Sequence, residues 1–138
     1  MNPPITLDIV LPCFNPRSGW EQILKDALAN LKTRLPENAL NAVILVNDGS
    51  TTGVSDAAIE TLIAAHSEVK LIEYPKNRGK GYAVRAGVKS SEGELQIYTD
   101  IDIPYVEESI VRFYGLLADG KIDVVVASRG NSYYNSLS

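Results

Sequence analysis

Cysteine occurs once in these 138 residues, as Cys13, and histidine, tryptophan and methionine also occur once each. A single thiol cannot close an internal disulfide, so nothing in the sequence calls for an oxidising compartment. Long apolar runs are missing too: no stretch approaches the ~20 continuous apolar residues of a membrane span. The opening Met1-Asn2-Pro3-Pro4 has no basic n-region of a signal peptide, and the expected location is cytoplasmic. Positive charge is scarce as well. Thirteen Lys and Arg against 17 Asp and Glu give a net charge of −4, which leaves no electrostatic footprint for a polyanionic duplex and argues against nucleic acid as a partner. An anionic small ligand would have to be held by local cations or by a metal.

What is present describes one ordinary globular domain, 45% hydrophobic and 22% charged. A chain of this length buries roughly 68% of its extended surface, enough for one core without covalent staples. Ile5 to Leu11 is expected to form a buried strand, and Ser18-Gly19-Trp20-Glu21 has the Ser-x-x-Glu spacing of a capping box. The helix predicted there places Trp20, Ile23, Leu24, Leu28 and Leu31 at three- and four-residue steps and ends at Leu35-Pro36. Further strands are predicted at Ala42–Val46, Val69–Tyr74, Leu95–Thr99 and Val124–Ala127. Helices are predicted from Ser55 or Asp56 to about His66, over Lys80–Val88 and over Pro104–Leu117. Strands alternating with helices imply parallel crossovers and an α/β sheet covered on both faces, and the continuous apolar runs Val43-Ile44-Leu45-Val46 and Val124-Val125-Val126 fit strands buried on both sides.

The fourth predicted strand ends in Asp100-Ile101-Asp102. Strand side chains alternate, so two carboxylates one residue apart project to the same side. Their mutual repulsion is relieved by a cation, and hard divalent ions such as Mg²⁺ or Mn²⁺ are commonly held by one or two carboxylates plus phosphate oxygens. In isolation a solvated turn, with Asp102 capping the helix after Pro104, is the better explanation of the pair. The other strand ends change that balance, because open α/β sheets bind ligands outside the carboxyl ends of their strands. Those ends carry Pro12-Cys13-Phe14-Asn15-Pro16, Asn47-Asp48-Gly49-Ser50-Thr51-Thr52 and Pro75-Lys76-Asn77-Arg78-Gly79-Lys80-Gly81. The last of these lacks the upstream glycine and the Ser/Thr of a P-loop. It also has Val84 where a dinucleotide fingerprint needs a third glycine.

Leu11-Pro12-Cys13-Phe14-Asn15, Val46-Asn47-Asp48-Gly49-Ser50-Thr51, Asn77-Arg78-Gly79-Lys80-Gly81 and Asp100-Ile101-Asp102, in this order, resemble the nucleotide-binding half of family-two, GT-A-type glycosyltransferases. The resemblance runs from Ile5 to Arg129, and Ser128-Arg129 is similar to the polyprenol-phosphate and cell-envelope branch. It implies a Rossmann-like GT-A fold, truncated, with a nucleotide-sugar-binding half-domain over residues 1–130 and a loose polar tail over 131–138. It further implies an inverting transferase that binds a UDP- or GDP-sugar with Mg²⁺ or Mn²⁺. Pro12, Asn15 and Asp48 would contact base and ribose, and Arg78 and Lys80 would lie near the nucleotide. Asp100 would approach the ribose or a metal-bound water, and Asp102 would bind the metal, whose charge would stabilise the departing diphosphate. The acceptor would be a polyprenyl phosphate or a polysaccharide, and a full-length relative would be peripheral to the inner face of the membrane.

Two departures from the family pattern stand out. Asn47 occupies a position where many relatives carry aspartate, which removes a charge near the base. The second half of such enzymes, with the acceptor site and a carboxylate general base, has no counterpart here, so no catalytic base is assigned and the chain alone is expected to be inactive in transfer. The alternatives are a non-catalytic nucleotide-sugar-binding module and, lower, a sugar-phosphate nucleotidyltransferase, whose Gly-rich, Arg-containing loop after the first strand is absent. A phospho-acceptor receiver fails for want of an acidic pair after the first strand. Cys13 and His66 do not make a nucleophile and base, because His66 falls at a helix end away from the strand-end face, and Trp20 is expected in the core. A sheet edge left uncovered is expected to pair two copies into a homodimer.

Overall fold

The architecture is that of a computed structural model, which describes residues 3–101 and 103–127. The elements are β1 (Leu7–Cys13), α1 (Trp20–Arg34), β2 (Leu40–Asp48), α2 (Asp56–Ala65), β3 (Val69–Tyr74), α3 (Lys80–Ser90), β4 (Leu95–Tyr98) and α4 (Ile103–Ala118). The strands form one parallel sheet in the order β3-β2-β1-β4. Successive strands run outward from β1 to β3, and the chain then returns to place β4 on the other side of β1. The order therefore reverses at β1, and a crevice opens beyond the carboxyl ends of β1 and β4.

Alternation along the two central strands divides the core in two. Leu7, Ile9, Leu11 and Cys13 of β1 and Val43 and Leu45 of β2 face Leu24, Leu28 and Leu31 of α1, Ile59 and Leu62 of α2, and Ile110 and Tyr114 of α4. Val10 of β1 and Ala42, Ile44 and Val46 of β2 face the opposite way and meet Ala83 of α3. Each fully buried Leu, Ile or Val contributes about 1.5–3 kcal/mol, which is why these runs stay central in the sheet. Helix α3 approaches closely because Gly87 has no side chain: a Cβ there would lie 2.3 Å from Val10 Cγ1.

Three expectations change. The capping box does not form, since α1 begins at Trp20 behind Gly19 in the left-handed region (φ 83°) with no side-chain cap. Trp20 is pinned instead by its indole N–H, which donates to the Gly53 carbonyl at 2.6 Å, so the entry to α1 is set by the loop after β2 and Ser18 is left outside. Ile23, expected inside, is 55% exposed, and Ala27 takes its place on the buried face. The fifth strand is not formed: residues 124–127 have no ladder, and Val124 and Val126 are exposed. The outer edge of β4 carries no further strand among the described residues, and apolar β-branched side chains alone do not supply the hydrogen-bonding partner that a strand needs. By contrast, of the two expected caps Ser55 and Asp56, Ser55 caps α2, accepting the Ala58 N–H at 3.1 Å. Among the described residues no helix is long and apolar enough to cross a membrane.

Candidate active site

The loops after β1, β2, β3 and β4 meet around a cleft of about 370 Å³ at the switch point, lined by Pro12, Cys13, Phe14, Asp48, Lys80 and Asp100 among others. Four of the sequence-predicted site residues, Pro12, Asp48, Lys80 and Asp100, therefore share one cavity. Asn15 and Arg78 stand beside it, and Asp102 and Ser128-Arg129 lie outside the described residues.

The cleft is built on loop-to-loop hydrogen bonds. Asn15, at φ 45°, accepts the N–H groups of Thr51 and Thr52 through its side-chain oxygen at 2.8 and 3.2 Å. Its own N–H donates to Ser50 Oγ at 2.9 Å. A short amide tolerates the left-handed region, and here it ties the first loop to the second. Asn47 makes a local bond within the second loop, its Oδ1 accepting the Ser50 N–H at 3.1 Å.

Asp48 is 3% exposed, and its carboxylate is turned to the next loop. It accepts the Arg78 N–H at 2.8 Å, the Gly79 N–H at 3.1 Å and the Asn77 side-chain amide at 3.0 Å. Those bonds use most of the acceptor capacity of a carboxylate. Gly49, at φ 68°, permits the approach, since a Cβ on it would sit 2.2 Å from the backbone nitrogen of Asn77. Asn77, part of the third-loop motif but given no role by the sequence, thus belongs to the site; its signal is a short amide two residues before a glycine in a turn. Beside this anchor the Tyr74 hydroxyl is buried with no hydrogen-bond partner among the described residues. Burial first, and then the neighbouring Asp48 carboxylate, hold its phenol well above the ordinary range.

The two cations of the third loop have different fates. The Arg78 guanidinium lies 5.2 Å from the centroid of the Tyr82 ring, which packs edge-on against Tyr74. Lys80 Nζ reaches across the cleft mouth to Asp100 Oδ1 at 2.7 Å. Asp100 presents a solvent-facing carboxylate that already holds a cation, and this is the donor chemistry a hard divalent ion uses. Among the described residues no group of three or more His, Cys, Asp or Glu gathers, so ligand oxygens, water or Asp102 would have to complete a metal shell.

Cys13 lines the cleft floor, but burial pushes its thiol up to about 12. The histidine is not beside it: His66 lies after α2, its Nε2 2.9 Å from the Lys25 carbonyl and its Nδ1 2.9 Å from Lys32 Nζ. Asp8, which carries no motif in the sequence, is buried near the amino end of β1, far along the strand from the cleft, and its carboxylate is fully bonded. It accepts Asn41 Nδ2, Ser91 Oγ and the N–H groups of Glu92 and Gly93, all within 2.9 Å.

Comparison with known proteins places this geometry in context. The chain is 33% identical over 128 residues to a dolichyl-phosphate beta-glucosyltransferase of Trichomonas vaginalis, covering 88% of this chain and 38% of that protein. It is 34% identical over 104 residues to the dolichyl-phosphate beta-glucosyltransferase of Homo sapiens, covering 73% of this chain and 32% of that protein. The chain thus spans about a third of the length of these curated relatives. Among solved structures, a mannosyltransferase from Pyrobaculum calidifontis in complex with GDP-Man and Mn²⁺ superposes with a TM-score of 0.62 at 23% identity, covering 95% of this chain and 38% of that one, a likeness of fold. The family model for glycosyl transferase family 2 matches residues 8–138, and the chain belongs to that family.

Proposed function

We propose that this chain forms the nucleotide-sugar donor site of an inverting glycosyltransferase whose acceptor is a polyprenyl phosphate. The observation that carries the reading is the convergence of Pro12, Asp48, Lys80 and Asp100 on one cleft at the reversal of strand order. The GDP-Man and Mn²⁺ in the Pyrobaculum enzyme and the dolichyl-phosphate chemistry of the curated relatives support it.

In this reading Pro12 and Phe14 wall the side that takes base and ribose. Asp48 acts there through the loop it anchors, and Asn15 acts by fixing the first loop to the second. Lys80, with Arg78 released from Tyr82, meets the diphosphate. Asp100 and Asp102 would hold a Mg²⁺ or Mn²⁺ ion. That ion supplies positive charge to the departing diphosphate. No general base is assigned within this donor site, and a position peripheral to the membrane would follow from a lipid-linked acceptor.

The test is calorimetric titration of UDP, GDP and their sugar conjugates, with and without Mn²⁺, on this chain and on Asp102→Asn. Metal-dependent binding that Asp102→Asn abolishes is the expected result, and it would name the base. Failure of every nucleotide to bind in the presence of Mn²⁺ would overturn the reading.

A further inference from the structure

Lys80 is the first residue of α3, and Asp100 lies just beyond the end of β4. Their side chains are joined at 2.7 Å although each is more than half exposed, at 57% and 62%. Both line the donor cleft. The two groups are also the ones a metal-bound diphosphate would seek: phosphate oxygens call for the ammonium, and a divalent cation calls for the carboxylate.

We propose that the Lys80–Asp100 ion pair is an internal stand-in for the ligand pair, so that nucleoside diphosphate and divalent cation bind cooperatively by exchanging partners with it. This rests on the donor-site reading above. A diphosphate arriving alone must draw Lys80 off Asp100 and leave a carboxylate uncompensated at the cleft mouth. A cation arriving alone must displace the ammonium from the same carboxylate. Whichever ligand binds first opens the pair, and the second finds its partner already released. Such coupling is reciprocal, each ligand raising the affinity of the other by one factor.

Among the described residues two neighbouring charges stand outside this pair: Arg78 lies over the Tyr82 ring, and the Asp48 carboxylate is buried and bonded to the third loop. An exposed ion pair of this kind is worth at most ~1 kcal/mol, so its share of the coupling is at most about fivefold. Any direct contact between bound metal and phosphate adds a separate amount that does not depend on this pair.

The experiment is a double-mutant cycle on the 138-residue chain, with GDP and UDP affinities measured by calorimetry in EDTA and in Mn²⁺. In EDTA, Asp100→Asn is expected to tighten nucleotide binding by up to about fivefold, because Lys80 is set free. In the Lys80→Met background the same Asp100→Asn change is expected to tighten binding clearly less, whereas a mere loss of negative charge would act equally in both backgrounds. Unchanged, weaker or undetectable EDTA binding by Asp100→Asn overturns the stand-in role, as does an equal tightening in both backgrounds. If the parent chain binds nucleotide normally with Mn²⁺, the donor-site reading survives that result. Absence of nucleotide binding under every condition overturns both.

Discussion

Asp48 Oδ1 accepts the Arg78 N–H at 2.8 Å, so a carboxylate at the end of β2 sets the backbone of the loop that follows β3. Asp48→Asn keeps the size and replaces an acceptor oxygen by an N–H₂ group facing backbone donors. The expected cost is about 1–3 kcal/mol of folding stability, together with weaker nucleotide binding. Urea denaturation and calorimetry on the same sample check both parts.

Gly49 and Gly81 make a matched contrast. A methyl group on Gly49 would collide with the backbone of Asn77 and Lys76 from a left-handed residue, whereas Gly81, inside α3, has open space around its Cβ position. Gly49→Ala is expected to lower stability by about 1–3 kcal/mol. Gly81→Ala is expected to be neutral or to raise stability by up to ~1 kcal/mol. Denaturant midpoints of the two variants decide the matter, and equal effects would contradict the close approach of the loops.

Acid sensitivity should trace to Asp8. Burial alone would raise its carboxyl, but the hydrogen bonds from Asn41, Gly93, Ser91 and Glu92 outweigh it and hold the group below its ordinary value of 3.8. A folded-state value below the unfolded one gives stability that is present above the unfolded value and is lost as pH falls through the folded one. Asp8→Asn is therefore expected to lower the urea midpoint at pH 7 and to flatten its decline below pH ~4. Midpoints measured from pH 2 to 7 would show the flattening.

The Cys13 thiol, buried and pushed up to about 12, should be unreactive in the native protein. With a disulfide reagent at pH 8 the expected result is slow modification that becomes fast and stoichiometric in denaturant. Fast native-state labelling would contradict the burial.

Comparison of sequence and structure shows where local signals suffice. The run Val43–Val46 announced β2 because a strand buried on both faces needs apolar side chains at successive positions, and Ser55 announced α2 because its cap is a local bond. Ser18 and Glu21 carried an equally good local pattern, but a distant bond from Trp20 to Gly53 decided how the chain enters α1. Val124–Ala127 had strand composition without a partner to pair with, and pairing is not a property of a segment alone. At the cleft, the sequence brought Pro12, Asp48, Lys80 and Asp100 to one edge. It could not show that Asp48 and Asn15 bond mainly to neighbouring loops, because that depends on which loops become neighbours.

The two faces of the sheet are unequally covered, and the imbalance divides the site into a stiff part and a yielding part. Pro12 and Asp48 extend from β1 and β2, which lie between two layers of packing, whereas Lys80 and Arg78 belong to the run leading into α3, whose own layer rests on the small cluster around Val10 and Ala83. Local opening draws on the least-packed unit. Native-state amide exchange should therefore rank α3 as quicker to open than β1 and β2, so that the cations can reposition around a ligand while the wall against which it rests holds still.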